Sequence, residues 1–505
     1  MKRILSIGLV MLILAGAVTV TAENTAPEAD LIIAGLDTTQ YRSWSDHAFF
    51  AAMDELTGLH VGTRQFISAE EWKKYKSSMT AGDADMPDAL FMAQLSQAEC
   101  ETMTASGVLI DLKPYLEECC PNLTALLDRF PAYRDAITLK DGTIPALPYI
   151  NETPSQNVMW INKKFLSRVR MQAPNNLEEL EAVLRAFKAA DCNGNGRAED
   201  EKPLSFMGPF DLKFLAHAFG FIANDYNLCV KDGKVVYVPA EEGYRDFIAW
   251  CRAMYAEGLL DKDGFTTSDA LREVTDEKKD QVYGIVLTPL ISNFLPAQWQ
   301  ADYEPMMPLE FEGKRVYRDF GTGLIRGTFA VTSHCKDVKA ALRWVDALYG
   351  EEGAVLAAVG KRNRDFLVDG DGTWRLTESS KSNSYYTITN VLSSSVAYPG
   401  YSADDFQSRY GDADLGGVLN ALKDFNSYCV LPFPYCSLTD DQASRISELQ
   451  AKLGPMVDIA IAQWVLGERD LTEETYSAFI TSLKEAGMDE FLALWQDVYD
   501  GRDGE

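Results

Sequence analysis

The sequence predicts an α/β protein in which helices flank parallel sheets, with a predominantly helical C-terminal portion. Two patterns carry this prediction: short apolar runs alternate with amphipathic helices near the N-terminus, and helical periodicity dominates after about residue 439. The chain has 505 residues. Because single cores stop growing near ~250–300 residues, this length indicates two or three domains.

The alternation begins with an apolar strand at 31–34, followed by an amphipathic helix that ends at Gly58. A second strand candidate lies within 59–68, and after another helix a third strand begins at Ala89. This order is typical of a parallel sheet with crossover helices. Ligands of such sheets lie beyond the carboxyl ends of the strands. The residues that follow these strands are therefore candidate ligand contacts: Asp37, Tyr41, Trp44 and Met92.

Later segments give further local predictions. Asn176 is placed to cap a helix whose apolar residues line one face. The dipeptides Asp141-Gly142 and Asp232-Gly233 mark hairpin turns between extended runs. The segment 284–329 is rich in Pro, Gly and aromatic residues, and we expect it to carry the chain between lobes.

Composition excludes some classes of protein. The chain has 47 Lys plus Arg against 75 Asp plus Glu, a formal net charge of -28, which disfavours nucleic acid and anionic membrane surfaces as partners. Its nine cysteines are scattered and odd in number, so they form no disulfide framework. Without a C-x-x-C pair they also predict no zinc or thiol-exchange site.

The first 22 residues predict a cleavable secretory signal. Lys2 and Arg3 precede an apolar stretch, and small residues end at Ala22, where a signal peptidase would cut. No cysteine follows at the place where a lipoprotein is acylated, so the sequence predicts secretion without a lipid anchor. An uncleaved anchor is the alternative, although the apolar part is shorter than the ~20 residues of a spanning helix.

The stretch DCNGNGRAEDE at 191–201 predicts a calcium loop. Oxygen-bearing side chains alternate along it, Gly196 allows a sharp turn, and acids arrive earlier than the twelfth position of an EF-hand, where the chain has Lys202. Oxygen ligands without His or Cys favour Ca²⁺. The predicted ligands are Asp191, Asn193, Asn195, Arg197 through its carbonyl, Glu199 and Asp200. A solvated Asn-Gly turn is the alternative.

Signals for catalysis are absent from the sequence. There is no G-x-S-x-G elbow, H-E-x-x-H helix or phosphate loop, and the four histidines are widely separated. Aromatic residues in irregular contexts suit a sugar site, because sugars stack on aromatic faces while polar groups hold their hydroxyls. The candidate ligand contacts beyond the N-terminal strands are Tyr149, Asn151, Trp160, Trp299, Arg326, Trp374 and Tyr398.

Several segments, in order, resemble one family. They include ELTGLHV, GDADMPDALF, GVLIDLKPYL, LKDGTIPALP and the run from APNNLEEL through DCNGNGRAEDEKPLS to the closing helices. Together they resemble the extracellular solute-binding proteins of ABC importers, in the sugar-binding group that includes alginate-oligosaccharide binders. The resemblance covers nearly the whole mature chain.

The resemblance implies a two-lobed periplasmic-binding-protein fold of type 2, which closes on a ligand like a venus flytrap. It places 23–148 and about 320–380 in lobe 1, and 149–319 and about 381–505 in lobe 2. It also implies that the calcium is structural, that the ligand is a sugar or oligosaccharide, and that ABC permease subunits are the partners of a monomer without enzymatic activity. A secreted carbohydrate-active hydrolase and a ligand sensor for a membrane receptor are the alternatives.

Overall fold

The computed structural model describes residues 29–39, 43–82, 84–152, 156–265, 281–289, 291, 294–295, 297–378, 391–392, 398–403, 409, 421–436 and 438–501. The strands are β1 (Leu31–Leu36), β2 (Val61–Phe66), β3 (Ala89–Phe91), β4 (Leu147–Asn151), β5 (Val158–Asn162), β6 (Lys202–Ser205), β7 (Leu228–Lys231), β8 (Lys234–Tyr237), β9 (Tyr283–Thr288), β10 (Tyr303–Pro305), β11 (Glu310–Phe311), β12 (Lys314–Arg315), β13 (Tyr317–Arg318), β14 (Leu324–Val331), β15 (Phe366–Val368), β16 (Trp374–Leu376), β17 (Gly400–Ser402) and β18 (Cys429–Val430).

Helices surround these strands. They are α1 (Ala48–Thr57), α2 (Ala69–Ala81), α3 (Gln97–Ala105), α4 (Leu116–Cys119), α5 (Pro121–Arg129), α6 (Pro131–Ile137), α7 (Lys163–Val169), α8 (Leu177–Ala189), α9 (Pro209–Leu212), α10 (Tyr244–Ala256), α11 (Ala297–Gln300), α12 (Val338–Asp346), α13 (Glu351–Ala358), α14 (Asp440–Leu466), α15 (Glu473–Glu485) and α16 (Met488–Asp500). Within the described part of the chain, none of them is both long and apolar enough to span a membrane.

The first lobe is built on a six-stranded sheet in the order β17-β4-β14-β3-β1-β2. β1 pairs in parallel with β2 and β3, whereas β14 runs antiparallel to its neighbours. Alternate side chains of β1 enter different cores: Leu31 and Ile33 join one hydrophobic cluster, and Ala34 and Leu36 join another. Since side chains of a strand alternate between the faces of its sheet, helices cover both faces.

The second lobe is built on a four-stranded sheet in the order β10-β5-β9-β6. Its core includes the apolar face of α8, whose first turn is capped by Asn176 accepting from the Glu179 N–H at 2.9 Å. The C-terminal helices α14, α15 and α16 pack on the same core. The predicted α8 and the predicted helical C-terminal portion are therefore confirmed.

Two of the local predictions turn out differently. Asp232-Gly233 joins β7 and β8, and both residues have a positive φ, as the predicted hairpin requires. Asp141-Gly142 also forms a turn, but its flanks are not paired strands. There the backbone closes the turn, since the N–H of Leu139 donates to the carbonyl of Thr143 at 2.8 Å, and the Asp141 carboxylate also accepts from the N–H of Thr143 at 3.0 Å.

The chain passes from the first sheet to the second between β4 and β5 and returns at 319–323. Both crossings lie close to the predicted boundaries, and the second falls within the segment 284–329 that was expected to carry the chain between lobes. The predicted return to lobe 2 near residue 381 is too early, because β17 still pairs with β4 in the first sheet. A three-residue strand gives almost no periodic signal, which is why the sequence pattern did not reveal it.

Candidate functional site

The ends of the strands locate a cleft between the two sheets. The chain leaves the first sheet at the carboxyl end of β4 and enters the second at Val158, which pairs with Thr288 at the carboxyl end of β9. The second crossing returns at Leu324, opposite Ile150 of β4. Both crossings therefore join the carboxyl edge of the first sheet to the carboxyl ends of β6 and β9, where ligands of open sheets bind.

A polar cluster lies at the first-lobe edge. The Tyr401 hydroxyl donates to Glu152 at 2.7 Å, and the Arg129 guanidinium donates to that hydroxyl at 3.0 Å and pairs with the same carboxylate. Burial, with the hydrogen bond to Glu152, raises the pKa of Tyr401 to about 12, so its hydroxyl keeps its proton at neutral pH. The cluster presents fixed donors and acceptors of the kind that hold sugar hydroxyls.

On the second lobe, Asn157 and Asp211 face each other across the start of β5 and α9. The Asn157 amide donates to the Asp211 carboxylate at 2.7 Å, and that carboxylate also accepts from the N–H of Met207 at 2.8 Å. Asn157 is only 3% exposed, and among the described residues its side-chain oxygen finds no hydrogen-bond partner. A buried acceptor without a partner costs free energy, so this oxygen is suited to receive a ligand hydroxyl.

Three phenylalanines beside Asn157 form an aromatic platform around Arg318. Its guanidinium carbon lies 4.4 Å from the ring centre of Phe320, 5.3 Å from that of Phe214 and 6.0 Å from that of Phe210. Arg318 is ion-paired to Asp225 and 8% exposed. Phe210 keeps 36% of its surface exposed, so part of this aromatic ring is open to a sugar.

Side chains tie the two crossings together. Gln156 donates to the Asp319 carboxylate at 3.3 Å and accepts from the N–H of Phe320 at 3.1 Å. The Tyr435 hydroxyl donates to the carbonyl of Gly321 at 3.0 Å. Gly321 has a φ of 72°, a backbone conformation that glycine adopts without strain. These contacts link the two crossings to each other and to the segment that carries Tyr435.

The loop 191–201 lies at the other end of β6. The Asp191 carboxylate accepts from the N–H groups of Gly194 at 2.8 Å and Gly196 at 2.9 Å, and the side-chain oxygen of Asn193 accepts from the N–H of Asn195 at 2.9 Å. Asn195 in turn accepts from the N–H of Arg197 at 2.9 Å. The alternating oxygens thus turn toward the interior of the loop, as the sequence pattern predicts.

Glu201 closes this loop, whereas Glu199 is exposed. Glu201 is 7% exposed, and one of its oxygens accepts from the N–H of Cys192 at 2.7 Å and from that of Asn193 at 3.3 Å. Its other oxygen is buried and has no partner in the described chain, and burial raises the pKa of this carboxyl. A buried, unsatisfied carboxylate oxygen beside Asp200 fits a hard cation.

No group of three or more His, Cys, Asp or Glu residues is placed to hold a metal ion within the described ranges. Amide oxygens and a carbonyl make up half of the predicted ligand set of the loop, and its three acids are not gathered into such a group in this structure. In this structure Asp200 accepts instead from the Asn195 amide and from the Arg197 guanidinium, each at 2.7 Å. The oxygen-rich donor set therefore fits calcium better than a softer metal.

Comparison with known proteins gives one consistent result. The chain is 26% identical over 477 residues to the fructooligosaccharide ABC transporter substrate-binding protein FusA of Streptococcus pneumoniae. The alignment covers 89% of this chain and 86% of the relative. The structure of FusA in complex with kestose matches with a TM-score of 0.67 and 23% identity, over 94% of this chain and 99% of the other. No protein-family model matches.

A second solved structure agrees. The HMO-binding, ABC-transporter-associated solute-binding protein of Bifidobacterium longum infantis matches with a TM-score of 0.72 and 21% identity, over 93% of this chain and 98% of the other. The chain is similar to the solute-binding proteins of ABC importers and has their fold. The resemblance inferred from the sequence and the two-lobed α/β fold are thereby confirmed.

Within this solute-binding fold, three of the predicted ligand contacts are core residues of the first lobe. Asp37 is fully buried, and its carboxylate accepts from the Trp44 indole N–H and the Thr39 N–H, each at 3.0 Å. Trp44 is 1% exposed and packs against Phe91. Met92 is also fully buried. These residues follow strand ends, so their backbone lies near the edge of the sheet, but their side chains point into the core.

Three predicted aromatic contacts are likewise buried: Trp160, Trp374 and Tyr398. Trp160 donates its indole N–H to the carbonyl of Thr288 at 2.9 Å inside the second lobe. Tyr398 packs against Tyr149, with ring centres 5.1 Å apart. Four candidates keep partial exposure and stay predictions: Tyr149, Asn151, Trp299 and Arg326. Tyr41 lies outside the described residues.

Sequence reasoning missed Asn157, Asp211 and the Phe210 platform. A weak signal was present, because MGPFD directly follows a short apolar strand and its Gly-Pro pair stops the strand. It also missed Glu201, because two other acids precede it in the loop. Only its burial distinguishes it from Glu199.

Proposed function

We propose that this chain is an extracytoplasmic solute-binding protein that captures an oligosaccharide between its two lobes for delivery to an ABC importer. The observation that carries the proposal is the pair of facing edges, one with the Tyr401 and Glu152 cluster and one with Asn157 and an aromatic platform. FusA, a relative over most of the chain, is a fructooligosaccharide-binding protein by name.

In this proposal the cleft captures the ligand, and the protein catalyses no reaction. Stacking on Phe210 would hold the apolar face of a sugar ring, while Asn157 and the Tyr401 cluster would hold its hydroxyls. Closure of the two lobes on each other would bury the ligand from both sides. Secretion directed by residues 1–22, a monomeric state and an ABC permease as the partner belong to the same proposal.

We further propose that the loop 191–201 binds structural calcium. Its ligands would be Asp191, Asn193, Asn195, the Arg197 carbonyl, Asp200 and Glu201, with Glu201 replacing the predicted Glu199. The supporting observation is the buried oxygen of Glu201 that lacks a partner in the described chain. A structure of FusA is described as an EF-hand mutant, which supports a cation loop in that relative.

A glycan screen tests the main proposal. The mature protein is heated with a panel of neutral and acidic oligosaccharides, and we expect at least one to raise its melting temperature and to titrate calorimetrically with a 1:1 stoichiometry. The same sugars, incubated with the protein and analysed by chromatography, should remain intact. Release of shorter products would favour the hydrolase, and a panel without any binder would refute the proposal.

A further inference from the structure

A cavity of about 210 Å³ opens where β3 ends and α3 begins. Ser96, Gln97, Cys100 and Pro145 line it, together with Arg326 from β14. Its volume is several times the ~30 Å³ that one water molecule occupies in the liquid, so it admits a ring substituent and not only solvent. The cavity lies at the same carboxyl edge of the first sheet as the proposed cleft.

The pairing of β14 is irregular around Arg326, which lines this cavity. The register between β14 and β4 shifts between Ile325 and Phe329, and bulges of this kind re-aim side chains next to functional sites. Gly327 follows with a φ of 68°, and a Cβ there would lie 2.1 Å from the carbonyl oxygen of Leu95. Only glycine permits this close approach, so the backbone geometry at Arg326 is specifically maintained.

Arg326 is a partly buried cation whose acceptors are neutral. Its guanidinium reaches the Cys436 carbonyl at 3.3 Å, the Ala136 carbonyl at 3.4 Å and the Gln97 side-chain oxygen at 3.5 Å. These are long contacts for a charged donor, which normally bonds at ~2.7–2.9 Å. Burial lowers the pKa of this guanidinium below its ordinary value.

Neither Glu99 nor Cys100, two acidic groups of α3, offers an uncompensated negative charge to Arg326. The Glu99 carboxylate pairs with Lys76 at 2.5 Å and accepts from the N–H of Ser96 at 2.9 Å. Burial raises the pKa of the Cys100 thiol to about 12, so it carries no charge at neutral pH. Arg318, on the opposite lobe, is in contrast paired with Asp225. Among the described residues, no carboxylate forms an ion pair with Arg326.

We propose that Arg326 binds a carboxylate of the sugar ligand, so that the captured oligosaccharide is acidic. This inference rests on the proposed function and names its substrate class. A partly buried cation is costly without a counter-charge, and the planar fork of arginine matches a carboxylate with two parallel hydrogen bonds. The chain has 28 more acidic than basic residues, yet none of its described carboxylates pairs with Arg326, and a carboxylate of the ligand would supply that counter-charge.

Matched sugar pairs test the inference. The probes are trisaccharides of galacturonic and glucuronic acid with their carboxyl-reduced neutral counterparts, and sialyllactose with lactose. Calorimetry should show that an acidic member binds at least tenfold more tightly than its neutral partner, with an affinity that falls as salt is raised. If no acidic sugar binds more tightly than its partner while a neutral one binds, the inference fails and the proposed function stands. If neither kind binds, the proposed function fails as well.

The substitution R326Q locates the effect. It should weaken the acidic sugar on the order of 10- to 100-fold, the usual cost of losing a charge-assisted bidentate contact, and leave the neutral sugar unchanged. R343Q, an exposed arginine in α12 of the same lobe, is the control and should change neither. The melting temperature of the ligand-free R326Q protein reports whether it folds. Unchanged binding of the acidic sugar by folded R326Q would overturn the assignment.

Discussion

The two ends of β6 differ in how the chain supplies their functional groups. The loop before Lys202 takes its oxygens from eleven consecutive residues, 191–201. The cleft edge beyond Ser205 combines Asn157, Phe210 and Phe320, which come from three distant segments. A four-residue strand separates the two by roughly 13 Å. The loop should therefore stabilise the fold, and the cleft should bind the ligand.

Removal of calcium should have the largest effect, and it should lower the stability of the fold without changing ligand binding. Chelation with EGTA is expected to lower the melting temperature. The free energy of unfolding should fall by about 4 kcal/mol where calcium had been ~1,000-fold above its Kd. Ligand affinity at 25 °C should stay nearly unchanged, because the loop and the cleft lie at opposite ends of β6. Loss of ligand binding without loss of stability would contradict this separation.

Acidification should destabilise the second lobe through His217. This residue is buried, donates from Nδ1 to the Phe214 carbonyl at 2.6 Å and accepts at Nε2 from the N–H of Leu309 at 2.9 Å. Burial lowers the pKa of His217 to about 4, whereas an unfolded histidine titrates near ~6.5. The unfolded state therefore binds more protons between these values, and stability falls as the pH is lowered from ~6.5 toward 4.

The expected loss is about 3 kcal/mol in the free energy of unfolding by urea between pH 7 and pH 4, in addition to the contribution of carboxylates. H217Q should remove this part of the pH dependence while lowering stability at pH 7. An equal slope in wild type and H217Q would contradict the assignment.

Two glutamates test which acid completes the calcium loop. E201Q should abolish most of the increase in melting temperature that calcium gives, because it removes the buried charge and costs about 2 kcal/mol. E199Q makes the same chemical change at an exposed position two residues earlier and should retain that increase. Equal responses of the two variants to a calcium titration would restore the sequence-based choice of Glu199.

The smallest effect is expected at the aromatic platform. F210A should weaken binding of the sugar found in the glycan screen by about 1 kcal/mol, or roughly fivefold, with little change in melting temperature, because Phe210 is partly exposed. F311A removes a similarly exposed phenylalanine from the β11–β12 hairpin and should leave affinity unchanged. A fall in stability without a fall in affinity would show that Phe210 stabilises the fold and does not bind the ligand.

The extent of successful prediction follows the range of the interactions involved. The α8 helix and its Asn176 cap depend on contacts within a few residues, so the sequence predicted both. β17 joins its sheet through pairing with β4 about 250 positions away, and three residues carry no period that reveals it. Strand ends correctly indicated the edge of the cleft. They failed to indicate which side chains face it, because Asp37 and Trp44 satisfy each other inside the core.

The sequence by itself determined the α/β class, the helical C-terminal portion, the family resemblance and the oxygen pattern of the loop 191–201. Each of these depends on local periodicity or on consecutive residues. Only the tertiary structure decided that Glu201 and not Glu199 closes the loop, that Asn157 lies against Asp211, and that Arg326 lacks a carboxylate among its described neighbours. Burial and charge pairing are properties of side chains brought together from distant segments, and no local pattern records them.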